Sequence, residues 1–215
     1  MTVTEALNKR NSIRAYLPTP IPAEVLNEVL AAAQRTPSWA NTQPWEVFVA
    51  QGEALASIRR QFLKNAEEHI MPGAPDLERP GPWSDDAKRR TATIGASMAR
   101  DCGEAMGQFG ELNQKMYNAP AVVYLCVDKA HGHWSLYDIG AYSQSLMLAA
   151  IERGLGTIPA IMLCTYPEVL REELKIPDNL NIAIGIAIGY PDAANAINNL
   201  HTERDPLDVA VRVVG

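Results

Sequence analysis

Ala121-Val122-Val123-Tyr124-Leu125-Cys126-Val127 is a continuous apolar run without charge or proline. A strand with one wet face alternates apolar and polar residues, whereas an unbroken run of this length suits a strand covered on both faces. Ile182-Ala183-Ile184-Gly185-Ile186-Ala187-Ile188 repeats the pattern later in the chain. Trp45 to Ala50 (WEVFVA) has the aromatic and β-branched content of a further strand. Gly156 to Leu163 reads as a short strand-like turn.

Helical patterns fill the intervals. Thr2 to Lys9 reads as a short helix with Ala6 and Leu7 on its apolar side. Arg10 to Leu17 breaks periodicity and leads into the turn Pro18-Thr19-Pro20-Ile21-Pro22. Pro22-Ala23-Glu24 then opens a helix, since proline suits a first turn and Glu24 complements the positive helix end. Val25, Leu26, Val29, Leu30 and Ala33 give it one apolar stripe, and it must end before Pro37. Glu53 to Glu68 and Pro167 to Leu174 are helical by the same test. A long helix is expected over Asp86 to Tyr117, its glycines (Gly95, Gly103, Gly107, Gly110) permitting close helix packing. Asp138 to Arg153 is a strongly apolar helix closed by Gly154, and its near-lack of charge predicts burial on more than one side, as in a dimer core.

Two segments stand apart. Ile70 to Trp83 carries four prolines and two glycines and reads as a lid inserted at about residues 70–90 of a single 1–215 domain, because no second core composition follows it. The tail from Asp192 to Gly215 ends in an alternating Val-Ala-Val-Arg-Val-Val stretch, which fits an extended arm that adds a strand to a partner subunit.

With 215 residues, 47% apolar and 20% charged, the chain has ordinary globular composition. A net charge of −6 argues against nucleic acid or an anionic membrane as partner, both of which need a basic face. No apolar stretch approaches a membrane span and the amino terminus has no apolar signal core, so a cytoplasmic location is expected. Cys102, Cys126 and Cys164 are widely spaced and form no CxxC motif, which predicts buried free thiols.

Two constellations can carry chemistry. Arg10, Ser12 and Arg14 alternate, so an extended backbone points them one way, and two guanidiniums flanking a hydroxyl make a compact receptor for a phosphate dianion. Two merely solvated arginines would leave the same pattern. Thr36-Pro37-Ser38-Trp39-Ala40-Asn41-Thr42-Gln43-Pro44-Trp45 joins a helix to a strand and concentrates donors and acceptors on Ser38, Asn41 and Gln43. Such groups suit a heterocyclic ring edge, and helix capping or turn formation uses them too. His131 and His133 supply two metal ligands without a third, so no metal is expected.

Taken together, Arg10-x-Ser12-x-Arg14, Pro37-Ser38-x-x-Asn41-x-Gln43-Pro44-Trp45, Gly154-Leu155-Gly156-Thr157-Ile158-Pro159 and Arg204-Asp205-Pro206-Leu207 resemble, in order, the motifs of the FMN-dependent nitroreductase family. The resemblance implies an α+β, three-layer α/β/α fold with a mostly antiparallel central sheet and a carboxy-terminal arm exchanged with the partner. It implies FMN as cofactor, NADH or NADPH as electron donor, and an alternating, ping-pong hydride transfer through flavin N5 to nitroaromatic or related electron-poor substrates. No catalytic side chain is required.

Residue by residue, the resemblance assigns Arg10, Ser12, Arg14 and Arg204 to the phosphate and ribityl chain. Ser38 and Asn41, with the Pro37 and Trp39 backbone, would come from the partner of an obligate homodimer to address the ring, and Gln43 is a further cofactor-binding candidate. Pro159, Ala160 and Ile161 would lie against the isoalloxazine, a backbone N–H of Ile161 or Met162 would reach N5, and Gln144 is a further pocket candidate. Many relatives carry an acidic residue and glycine after the turn proline, where this chain has Ala160-Ile161-Met162. Trp83, Met116, Tyr117, Trp134 and Tyr137 are candidate substrate-pocket aromatics and edges, with Arg79, Arg89 or Arg90 available to an anionic substrate. A same-scaffold reductive dehalogenase, another flavin-dependent dehydrogenase and a non-catalytic flavin carrier are the competing readings.

Overall fold

The computed structural model describes residues 1–73, 75–78 and 81–215. Its elements are α1 (Val3–Lys9), α2 (Ala23–Ala33), β1 (Trp45–Gln51), α3 (Gly52–Glu67), α4 (Asp85–Cys102), α5 (Phe109–Gln114), β2 (Ala121–Asp128), α6 (Trp134–Glu152), β3 (Gly156–Ala160), α7 (Pro167–Leu174), β4 (Leu180–Gly189) and α8 (Leu207–Ala210). The strands form one sheet in the order β1-β2-β4-β3, every neighbouring pair antiparallel. Between β2 and β4 the register slips: Leu125 faces Ile184 while Cys126 faces Ile182, so Ala183 is the extra residue of a bulge.

Period-two alternation explains why β2 has no polar face. Val122, Tyr124 and Cys126 point into a core shared with Leu55, Ile58 and Leu170 of α3 and α7. Ala121, Val123, Leu125 and Val127 point the other way, onto Val29 of α2 and Tyr142 and Leu146 of α6. Helices therefore cover both faces of an antiparallel sheet, and both apolar strands must be apolar throughout. Trp45 sits in the second core, its ring 4.9 Å from that of Tyr142.

Several boundaries depart from the sequence expectation. The helix expected over Asp86 to Tyr117 ends at Cys102, because Gly103 takes φ +53° and caps α4. A 3-10 turn, α5 and a left-handed turn at Met116, Tyr117 and Asn118 (φ +51°, +59°, +56°) follow it. Its glycines do not serve close packing: a Cβ on Gly95, Gly103, Gly107 or Gly110 would meet nothing within 4 Å. α6 begins at Trp134 rather than Asp138: in its first turn Trp134 and Tyr137 are exposed while Ser135 is buried, so residue hydrophobicity there does not follow burial. Of α1, only Ala6 is buried, and Leu7 is exposed.

The tail expected to be extended folds Val209 and Ala210 into α8, where the Val211 N–H donates to the Leu207 carbonyl at 2.9 Å. Nothing beyond α8 pairs as a strand in the single chain. The described part of the proline-rich segment holds no helix or strand before α4, but it is tied down. Asp76 accepts from Arg171 Nη2 at 2.5 Å and from the Ile182 N–H at 2.7 Å. No helix of the described residues is long and apolar enough to cross a membrane.

Candidate functional site

The arm after α1 is held against β3. Ser12 bridges Thr157 in parallel, and the Ile13 N–H donates to the Thr157 carbonyl at 3.0 Å. Ile13, Ala15 and Tyr16 are buried, which leaves Ser12 and Arg14 on the opposite, half-buried side. Gly156 makes this closeness possible, because a Cβ there would collide with Ile13 and with Pro191. Arg10, also half-buried, borders a groove of about 220 Å³ with Asn11, Gly156, Thr157 and Pro191.

Arg14 is the most constrained cation of the arm. Its Nη1 donates to the Ser12 carbonyl at 2.9 Å, and its guanidinium carbon lies 5.8 Å from the Phe109 ring centroid. Burial lowers its pKa below the usual arginine value, opposed by Tyr117, Cys102 and Tyr16 nearby. Its Nε is buried and has no hydrogen-bond partner. A donor left in that state calls for an acceptor, and a phosphate oxygen is a matched one. The arm thus fits an anionic group on the chain's own evidence.

From Thr157, β3 runs on to Pro159 and Ala160, both half-buried, and then to the exposed Ile161 and Met162 at the start of a 3-10 turn. Four strand-like steps, about 13 Å, separate Thr157 from Ile161. One strand therefore links the cationic arm to the segment assigned to the ring.

The second constellation is built differently. Thr36 Oγ1 donates to the Ala33 carbonyl at 2.7 Å where α2 ends. Beyond it Ala40, Asn41 and Gln43 adopt φ +48°, +56° and +46°, a region that side-chain-bearing residues avoid. Ser38 Oγ accepts the Gln43 N–H at 2.9 Å, and Gln43 Nε2 donates to the Asn41 carbonyl at 3.4 Å. The Trp39 N–H donates to Asp138 Oδ2 at 3.2 Å. Pro37, Asn41 and Gln43 are exposed, Ser38 is half-buried, and the Trp39 side chain is 74% exposed. Asp138, in contrast, is only 4% exposed. Gln144 is half-buried six residues further along the same helix, about 9 Å away.

The structure therefore gathers the assigned residues into two groups. Arg10, Ser12 and Arg14 join Pro159 to Met162 through β3, and Ser38 to Gln43 form the second, tied to α6 at Asp138, whereas Gln144 lies about 240° further round that helix. No hydrogen bond among the described residues connects arm to loop. Arg204 is in neither group. Its Nη1 donates to the Thr202 carbonyl at 3.1 Å, to Thr202 Oγ1 at 2.9 Å and to the Glu203 carbonyl at 3.0 Å.

Some expectations for the substrate side do not survive. Met116 and Tyr117 are buried core residues and cannot wall an open pocket. Tyr117 donates to Asn113 Oδ1 at 2.6 Å, and burial pushes its ionisation up to about 12. Arg89 and Arg90 both contact Asp205, at 3.0 and 2.6 Å. Arg79 lies outside the described residues. Trp134 and Tyr137 are 82% and 75% exposed on α6. His131 Nδ1 lies 3.1 Å from Ser135 Oγ, and the described residues gather no group of three or more metal-ligating side chains. Cys102 and Cys126 are buried free thiols, while Cys164 is only partly covered.

Sequence reasoning missed two anchors. Asp138 is the one acidic residue inside the apolar stretch of α6 before Glu152, a signal that was legible. Asn198, which grips the arm, lies in an unremarkable Asn-rich turn whose sequence announces nothing.

Comparison with known proteins places this architecture. Residues 7–190 match the Nitroreductase family. A chloronitrobenzene nitroreductase of Comamonas testosteroni is 28% identical over 96% of this chain and 94% of its own length. A nitroreductase NfnB of Mycolicibacterium smegmatis (strain ATCC 700084 / mc(2)155) is 30% identical over 94% of this chain and 88% of its own. Among solved structures, the FMN and NADPH-dependent nitroreductase NfnB of Sphigopyxis sp. strain HMH superposes with a TM-score of 0.91 at 26% identity, covering 100% of both chains. The chain belongs to the nitroreductase family.

Proposed function

We propose that this chain is an FMN-dependent oxidoreductase that takes electrons from NADH or NADPH and reduces nitroaromatic or related electron-poor compounds as a homodimer. The observation that carries the reading is the union of the arm with β3: Ser12 lies against Thr157 on the strand that leads to Pro159 and Ile161. A phosphate held by the arm and a ring resting on the end of β3 are then two ends of one extended ligand. The names of the relatives support the same chemistry.

Arg10, Ser12 and Arg14 hold the phosphate and the first part of the ribityl chain, with the orphaned Arg14 Nε as one donor. Arg204 joins them once a ligand draws it from its bonds to Thr202 and Glu203. Pro159, Ala160 and Ile161 would support the ring, and a backbone N–H of Ile161 or Met162 would serve N5. Bound FMN supplies the hydride-accepting and hydride-donating centre, so the protein's task is position and electrostatics. Ser38, Asn41 and Gln43, with the Pro37 and Trp39 backbone, address the ring from the partner subunit, and Gln144 lines the pocket.

Dimerisation supplies what the single chain lacks. The exposed face of α6 with Trp134 and Tyr137, and Trp39 on the neighbouring loop, are large aromatic surfaces open to solvent. Val211, Val213 and Val214 of the tail are exposed as well, in keeping with an arm exchanged between subunits. The test is an anaerobic titration of FMN-loaded protein with NADH and with NADPH, followed by a panel of nitroaromatics. The flavin absorbance should bleach with at least one donor and return on adding a nitroaromatic. Protein that remains colourless in excess FMN, or that binds FMN and never bleaches, would overturn the proposal.

A further inference from the structure

Against the arm, one side chain uses its full hydrogen-bonding capacity. Asn198 Oδ1 accepts the backbone N–H of Arg14 at 2.7 Å and of Ala15 at 3.1 Å. Its Nδ2 donates to the Ala15 carbonyl at 2.8 Å and to the Asp192 carbonyl at 2.9 Å. Its own carbonyl accepts from Asn11 Nδ2 at 3.0 Å, and Asn11 Oδ1 in turn accepts the Ser12 N–H at 2.8 Å. Every residue from Asn11 to Ala15 except Ile13 is thus tied, directly or through Asn11, to Asn198, and Ile13 is tied to Thr157.

The turn that carries Asn198 is itself fixed. Asn195 Oδ1 accepts the Ile197 N–H at 3.1 Å, and Asn195 Nδ2 donates to Gln108 Oε1 at 3.1 Å. Ile197 is buried in the same core as Cys102 and Tyr16. A clamp seated on the core therefore sets the backbone position from which Arg14 projects. An amide is the group for this: it offers two acceptor lone pairs and two donors in one plane, whereas the arm presents two N–H groups and a carbonyl in succession.

We propose that Asn198 is a positioning residue for the phosphate grip: it touches no ligand, and it fixes the register of Ser12 and Arg14, beside an Arg10 that α1 holds, so that their donors converge on one dianion. The inference rests on the proposed FMN site and adds to it the residue on which selectivity for the phosphorylated flavin depends. Displacement of the arm spreads donors that were aimed at one point, and the loss falls on the phosphate rather than on the ring.

The discriminating quantity is the ratio of riboflavin to FMN dissociation constants, because the two ligands share the ring and differ by the phosphate. It is to be measured on the full-length protein by flavin fluorescence quenching, for wild type, Asn198→Ala and Asn11→Ala. Asn198→Ala should lower the ratio about tenfold, with riboflavin affinity changed less than about twofold. Asn11→Ala removes one outer tie and leaves the clamp itself, so it should lower the ratio by a smaller factor and keeps the test open if Asn198→Ala does not fold. Folded variants with the wild-type ratio, or equal losses for both flavins, would overturn the positioning role. Wild-type protein that binds neither flavin, or both equally, would instead remove the FMN site itself, and the inference with it.

Discussion

The arm from Arg10 to Tyr16 and the loop from Pro37 to Gln43 are both short, non-helical passages assigned to one ligand, yet they are stabilised in opposite ways. The arm buries Ile13, Ala15 and Tyr16, lies on β3 and is gripped by Asn198. The loop exposes most of its residues and holds three non-glycine residues at positive φ, with Asp138 and Ser38 as its hydrogen-bonded anchors. Left-handed backbone costs roughly 1–2 kcal/mol per ordinary residue, and the arm carries no such cost. The difference teaches that one half of the proposed site would be held by the chain's own core. The other half is a strained display that a partner subunit and a ligand would complete.

Substitutions can break that comparison. The largest effect is expected at Gly156, where a Cβ meets Ile13 and Pro191. Gly156→Ala should cost about 1–3 kcal/mol of stability through overpacking and lift the arm from β3. Denaturant unfolding together with FMN retention checks both, and an unchanged midpoint with normal flavin content would refute the close approach. Next, Arg10→Ala should weaken FMN by on the order of 2 kcal/mol, about thirtyfold, by removing a charge-assisted phosphate contact. Unaltered FMN affinity in equilibrium dialysis would reject the assignment.

The arm's surroundings also carry an alkaline signature. Tyr117, beside Arg14, ionises in the folded chain only at about 12, for burial raises it and Arg14 lowers it less. Unfolded tyrosine ionises near 10. Between those values the folded state holds the extra proton, so stability is full below about pH 10 and falls as pH rises towards 12, by up to about 1.4 kcal/mol per unit. Tyr117→Phe should flatten that slope in unfolding curves at pH 9–11.5, and an identical slope would contradict it.

Loop variants sharpen the contrast from the other side. Asp138→Ala removes the acceptor of the Trp39 N–H. It should reduce nitroaromatic turnover about fivefold, equivalent to about 1 kcal/mol, while leaving the riboflavin-to-FMN ratio unchanged. A changed ratio would erase the division between arm and loop. Trp39→Ala should be smallest in the unfolding of a single chain, within about 0.5 kcal/mol, because the indole is exposed.

How much was legible followed from which interactions are local. Unbroken apolar strands announced a sheet covered on both faces, and Pro22 with the Val25-to-Ala33 stripe announced α2, because periodicity records burial directly. The alternation from Ser12 to Ala15 was legible, and the burial of Ile13 and Ala15 reproduces it, whereas the spacing of the arginines alone did not separate a phosphate grip from solvated side chains. The break at Gly103 was not, since a glycine in a helical pattern does not reveal its φ. Nor was Asn198: its value lies in bonds to residues more than 180 positions away, and its own neighbours say nothing of them. The strain at Ala40 and Gln43 was equally hidden, because neither residue type favours positive φ.

Subunit complementation tests most directly whether arm and loop of different chains build one site. A chain carrying Arg10→Ala and Arg14→Ala is mixed with one carrying Ser38→Ala and Asn41→Ala, unfolded and refolded together, and assayed for bound FMN and nitroaromatic reduction. A site shared between chains predicts recovery of roughly a quarter of wild-type sites at equal mixing, since half the dimers are mixed and each regains one intact arm–loop pair. Mixtures no more active than the separate variants, or flavin bound at full occupancy by a monomer, would contradict the shared site.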